Sequence, residues 1–291
     1  VSPARRAEQR LGWLLCAPAA LVMLAVTVWP LGYALWLSLQ RYDLRFPDQR
    51  HFVGLSNYGT VLGDGYWWQA LAITAAITAV SVTFELAFGM ALAVVMHQTI
   101  FGRALVRTAV LLPYGIVTVV AAFSWRYAWT PGTGWLAGLF GDGAPLTHTP
   151  SALAIIVLAE VWKTTPFMAL LLLAGLSQVP ADVLKAASMD GASPWARFRY
   201  VTLPAMRPAI VVAVLFRTLD AFRLFDHVFV LTKGAGGTRT VSMLAWDNLI
   251  KGLNLGIGAT LSVLIFIVVA ALAAIFIKGL GAATPQTEPK R

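Results

Sequence analysis

Six long apolar stretches divide the chain, at roughly 12–38, 68–97, 106–129, 151–176, 207–231 and 258–280. Each reaches the length of about 20 mainly apolar residues that a helix needs to cross a bilayer. Polar, Gly- and Pro-rich segments separate them at 41–67, 98–105, 130–150, 177–206 and 232–257. The pattern predicts an all-α, polytopic membrane protein with six transmembrane helices. Residues 12–281 form its membrane domain, between an N-terminal segment 1–11 and a polar tail 282–291 holding two prolines. The first apolar run, Leu11 to Leu39, exceeds the core of about 7–15 residues in a signal peptide and reads as a retained anchor. Segments 41–67 and 232–257 have room for short interfacial helices, one of them at Asn248–Leu253.

Composition supports this reading. Of 291 residues, 58% are hydrophobic and 12% charged, with a mean hydropathy of +0.73. Soluble domains carry about 25% charged residues, so this chain cannot cover a water-facing surface. The net charge of +9 would suggest nucleic acid in a soluble protein. Here its distribution matters more, because Lys and Arg collect on the cytoplasmic side of a membrane. With the N-terminus inside, the inner segments hold twelve Lys and Arg and the outer segments six. The bias places both termini in the cytoplasm and leaves no nucleic-acid role. Tyr66, Trp67, Trp68, Trp125, Tyr127, Trp129 and Trp135 then fall at the outer interface, where amphipathic rings prefer to sit. The single cysteine, Cys16, forms no internal disulfide and reads as a small buried apolar side chain.

The segment 177–206 stands out as a polar island. Pro180 is placed to open a helix and Pro204 to end one. Ala181 to Met189 are good helix formers, Asp190-Gly191 signals a bend, and Ser193-Pro194 suits the start of a second short helix through Trp195, Phe198 and Tyr200. The expectation is a cytoplasmic helix–turn–helix. Its small residues Ala186, Ala187, Gly191 and Ala192 allow close approach by a partner's groove.

The residues of this loop resemble the EAA motif of ABC-importer permeases. Lys185-Ala186-Ala187 is followed after two residues by Asp190-Gly191-Ala192, and after eight more by Val201-Thr202-Leu203-Pro204. The spacing is kept. Lys185 stands where the motif has Glu, which reverses the charge. Phe52–Tyr58, Trp162–Met168 and Phe222–Asp226 also resemble segments of the sugar-uptake, MalF-like branch of the binding-protein-dependent permeases. The likeness is greatest to trehalose importers of that branch. The resemblance implies a type I importer fold in a bacterial inner membrane. It implies a coupling helix formed by Lys185, Ala186, Ala187, Asp190, Gly191, Ala192 and Pro204, docked on an ATPase. The implied partners are a second homologous permease, two ATP-binding subunits that hold ATP and Mg, and an extracellular substrate-binding lipoprotein. The chain itself would hold no cofactor and catalyse nothing.

Charges inside the spans are costly unless paired or wetted. Glu85, Glu160, Lys163, Arg217, Asp220, Arg223 and Asp226 all lie in or near spans. Glu160 and Lys163, and likewise Arg217, Asp220 and Arg223, follow i,i+3 steps that share a helix face. Two readings stand for them. Glu160, Lys163, Arg217 and Asp220 line a polar path for sugar, or they pair between helices. Glu160 and Asp220 would also serve an ion-coupled secondary transporter, the alternative function. His227 reads as a helix-end residue. Pro30, Pro113 and Pro166 lie within spans, with Pro113 and Gly115 the favoured kink. The chain has no P-loop and no H-E-x-x-H, C-x-x-C or G-x-S-x-G pattern, and its four histidines show no metal-ligand spacing.

Overall fold

The computed structural model describes residues 3–99, 102–140 and 144–283. From residue 284 onward, the expected tail lies outside the described residues. In chain order the elements are α1 (Pro3–Ser38), β1 (Gln40–Arg41), β2 (His51–Phe52), α2 (Ser56–Gly63), α3 (Gly65–Gln98), α4 (Arg103–Gly115) and α5 (Thr118–Ala128). There follow α6 (Thr149–Leu176), α7 (Ala181–Met189), α8 (Pro194–Arg197), α9 (Leu203–Ala205), α10 (Arg207–Ala221), α11 (Asp226–Leu231), α12 (Val241–Trp246) and α13 (Leu255–Ala283). The chain forms two compact units.

One unit comprises the chain up to Gly65 together with Ala245–Phe266. In α1 the apolar window Leu11–Ser38 has a mean hydropathy of 2.2, and none of it is buried within the chain. Cys16 is exposed on this helix, contrary to expectation. At the end of α1, Asn57 on α2 donates from Nδ2 to the carbonyls of Ser38 and Gln40, each at 2.8 Å. The two short strands pair antiparallel, with Gln40 opposite Phe52 and Arg41 opposite His51. Gly256 at the start of α13 packs against the Gln40 carbonyl so closely that a Cβ would collide with it. In the loop after β1, Arg45 binds both oxygens of Asp43. Those hydrogen bonds hold the Asp43 carboxyl down at about 2. Where a short interfacial helix was expected at Asn248–Leu253, Asp247–Lys251 is wound as a π-helix, with Lys251 2.7 Å from Asp247.

The other unit holds Tyr66–Leu244 and the chain from Ile267. Helix α6 is its centre, with α4, α5, α10 and α11 packed on it. The core joins Val82, Ala93 and Met96 of α3 to Met168, Ala169 and Leu172 of α6, and to Ala213 and Ala221 of α10. Small residues set these approaches, as they do between helices in membranes. A Cβ on Gly89 would stand 2.7 Å from Met168 Cγ, and one on Gly175 would strike Ala209 Cβ. Trp67 and Trp129 are buried in this unit, so the expected outer aromatic row keeps only part of its members at the surface.

The six expected spans take two forms. Among the described residues, α1, α3, α6 and α13 contain continuous stretches long and apolar enough to cross a membrane. The expected span 106–129 is the bent pair α4 and α5, which turn 85° at a break just beyond Pro113 and Gly115. The expected span 207–231 is α10 and α11, interrupted at Phe222–Phe225. Neither piece is long enough alone to cross a bilayer, so among the described residues the spans that length and composition support number four, or five with the bent pair. Unlike Pro113, Pro166 lies inside an unbroken α6.

Candidate functional site

Both breaks open on one cavity of about 670 Å³. Tyr114, Ile116, Val117 and Thr118 line it from the α4–α5 break. Glu160, Lys163 and Thr164 come from α6, and Asp220 and Arg223–His227 from the α10–α11 break. Two helices therefore end at this cavity and two begin there. Discontinuous helices expose backbone polar groups at membrane depth only where protein or a wet cavity satisfies them.

Behind the cavity wall lies a buried ion network centred on Arg217, which has no exposed surface. Its Nε donates to Glu85 Oε2 at 2.6 Å and its Nη2 to Glu85 Oε1 at 2.9 Å, a two-pronged pairing. Nη2 also donates to Glu160 Oε1 at 2.9 Å, and Nη1 pairs with Asp220. Thr164 Oγ1 lies 2.8 Å from Glu85 Oε1 and 2.7 Å from the Glu160 carbonyl, with one proton to give. The second oxygen of Glu160 lies 3.1 Å from Nδ1 of fully buried His227. One guanidinium thus ties α3, α6 and α10 together, and Glu160 extends the tie to α11. A buried pair is tolerated when its remaining lone pairs and protons find partners, as they do around Arg217.

The sequence-derived candidates divide accordingly. Glu160, Lys163, Arg217 and Asp220 all meet at this place, three of them in the cavity lining and Arg217 behind it. Asp220 is the most accessible, its carboxylate 70% exposed although one oxygen meets Arg217. Glu160 and Lys163, although they share a helix face, do not pair with each other. Glu160 turns to Arg217 and His227, while Lys163 Nζ donates to the Tyr114 carbonyl at 2.8 Å. Arg217 and Asp220 do pair along their helix, as the i,i+3 spacing implies. Glu85 is the strongest partner of Arg217, and the sequence offered one clue to it: a lone acid in a span with no cation on its own helix. His227 lies in the first turn of α11, as expected of a helix-end residue, but its contact with Glu160 had no signal in the sequence.

The coupling candidates lie apart on α7–α9. Gly191 has φ +81, and its N–H bonds the Ser188 carbonyl while Ala192 N–H reaches back to Ala187. This is a Schellman C-cap, which needs a left-handed residue and so favours Gly. Ser193 then caps α8, its Oγ accepting from Ala196 N–H at 3.2 Å, with Pro194 opening the helix. Pro204 does not end a helix as expected. It opens short α9, and a π-turn at Phe198–Thr202 absorbs the junction. Nothing in α7 or α8 is buried, and Met189, Trp195 and Tyr200 are strongly exposed. Lys185 has a loose partner in Asp182 at 3.6 Å, both side chains in solvent. Such a pair contributes little.

Residues 85–282 match the family described as binding-protein-dependent transport system inner membrane component. The chain is 63% identical over 286 residues to the trehalose transport system permease protein SugA of Mycobacterium tuberculosis, covering 98% of this chain and 93% of that protein. It is 37% identical to the trehalose/maltose transport system permease protein MalF of Thermococcus litoralis, covering 93% and 94%. A crystal structure of a bacterial ABC transporter that imports the acidic polysaccharide alginate contains a chain of the same fold. The TM-score is 0.80 at 19% identity, covering 97% of this chain and all of that one.

Proposed function

Because the chain belongs to the family of binding-protein-dependent transport system inner membrane components, it is a permease subunit of an ABC importer, and we propose that its cargo is trehalose. The observation that carries this reading is the polar cavity between two broken helices, in a chain so similar to a trehalose permease. A neutral disaccharide offers hydroxyls that both donate and accept. The cavity answers with the accessible carboxylate of Asp220, with Glu160, and with the ammonium of Lys163. Arg217 positions the two acids from behind and does not itself meet sugar.

In this reading a second, homologous permease closes the path, and both termini lie in the cytoplasm. Two ATP-binding subunits hold ATP and Mg beneath the membrane, one of them seated on α7–α9 through Ala186, Ala187, Gly191 and Ala192. A lipoprotein delivers sugar from outside. ATP and the loaded lipoprotein each favour the outward-open state, so each raises the other's affinity. A cap as rigid as the Gly191 turn transmits this push better than a flexible loop. The relatives give the ion-coupled alternative no support.

The test is uptake of labelled trehalose by the whole complex in proteoliposomes. Uptake should require ATP, and Asp220→Asn should raise KM severalfold with assembly intact. Uptake driven by an ion gradient without ATP would overturn the reading.

A further inference from the structure

Lys163 is only 5% exposed, yet among the described residues no carboxylate stands at ion-pair distance from it. Glu160, one turn earlier on α6, already gives one oxygen to Arg217 and faces His227 with the other. The ammonium instead binds the Tyr114 carbonyl at 2.8 Å and lies 5.3 Å from the centre of the Tyr114 ring. That ring stacks on Phe167 of α6, centroids 5.4 Å apart. Tyr114 belongs to the last turn of α4, where carbonyls lack helical partners and carry the negative end of the helix dipole. The 85° turn removes the amide that a continuing helix would have offered. Lys163 supplies the missing donor from a neighbouring helix. An ammonium has three donors, and here one is used, in a residue that lines the cavity.

We propose that Lys163 is the latch of the α4–α5 break, a positioning residue that holds the bend until a polyhydroxylated solute competes for its ammonium. With the cavity empty, the Tyr114 carbonyl is the best acceptor within reach. Solute hydroxyls in the cavity offer the same ammonium new acceptors, and the tie to α4 weakens. Because α5 packs on α11, release of the first break is felt at the second. This rests on the reading of the cavity as the sugar's path.

The experiment uses the assembled importer in lipid, with Cys16→Ser and spin labels at Leu105→Cys on α4 and Phe123→Cys on α5, both exposed positions. Pulsed spin-resonance distances are measured for Lys163, Lys163→Met and Lys163→Arg, with trehalose-loaded or trehalose-free binding protein. Lys163→Met should broaden and shift the α4–α5 distance without solute, and Lys163→Arg, which keeps a donor, should restore it. Solute should move the native distribution toward that of the Met variant. An unchanged distribution in Lys163→Met overturns the latch. So does a native distribution that solute fails to move in liposomes that transport it. If the Met variant does not assemble, the solute comparison on native Lys163 decides. Absence of any ATP-driven trehalose uptake counts against the path reading, and the Met comparison then decides the latch alone.

Discussion

At the scale of single residues, the network around Arg217 is the most consequential feature. Removing one partner of a buried pair leaves an uncompensated charge and costs about 3–5 kcal/mol. Arg217→Met would strand both Glu85 and Glu160. We expect a marked fall in the thermal unfolding temperature in detergent and in the yield of folded protein. Adding Glu85→Gln should recover part of the loss, because a neutral amide is less costly to bury than an unpaired carboxylate. A double variant no better than Arg217→Met would place the cost in lost packing. The sequence marked Arg217 and Glu160 as intramembrane charges demanding partners, but not which partners. Glu85 and Arg217 are 132 residues apart, and no helical spacing rule reaches that far. Where spacing did apply, Arg217 and Asp220 pair, but Glu160 and Lys163 do not. A carboxylate takes the best geometry available, and a guanidinium from another helix outcompeted a lysine on its own.

At the scale of elements, the helix–turn–helix of α7 and α8 was legible almost in full, because it is built from local chemistry: Pro180 before the first helix, Gly191 at its C-cap, Ser193 and Pro194 at the start of the next. Gly191→Val forces a β-branched residue into a left-handed backbone, at a cost of about 1–2 kcal/mol. The expected result is loss of trehalose-stimulated ATP hydrolysis by the complex at unchanged expression. Gly191→Asn, which tolerates that conformation, should keep most of it. Normal stimulation in the Val variant would argue against a docking role for the turn. The interruptions within 106–129 and 207–231 were less legible. The α4–α5 pair is apolar enough for one continuous helix, and Pro113 marks its break; nothing local forces the other at Phe222–Phe225.

At the scale of the whole molecule, the chain is a permease subunit of an ABC importer. It carries no P-loop, so purified alone it should hydrolyse no ATP above background in a phosphate-release assay, with activity appearing on addition of the ATP-binding subunits. Hydrolysis by the isolated chain would require a nucleotide site unlike any known pattern in its sequence. The fully unburied apolar window of α1 belongs to the same picture. Such a surface is stable only against lipid or another protein.

The sequence by itself determined the membrane class, the approximate position of every apolar segment, the form of the turn between α7 and α8, and the family. These follow from transfer energetics and local backbone chemistry, which act over a few residues to a few turns. Only the tertiary structure decided that the helices of 106–129 and 207–231 are interrupted, that the breaks face one cavity, and that Glu85, Glu160 and Asp220 share a single arginine. Those facts depend on which distant helices meet. That choice is made by the packing of small residues such as Gly89 and Gly175 and by the need of each buried charge for a partner.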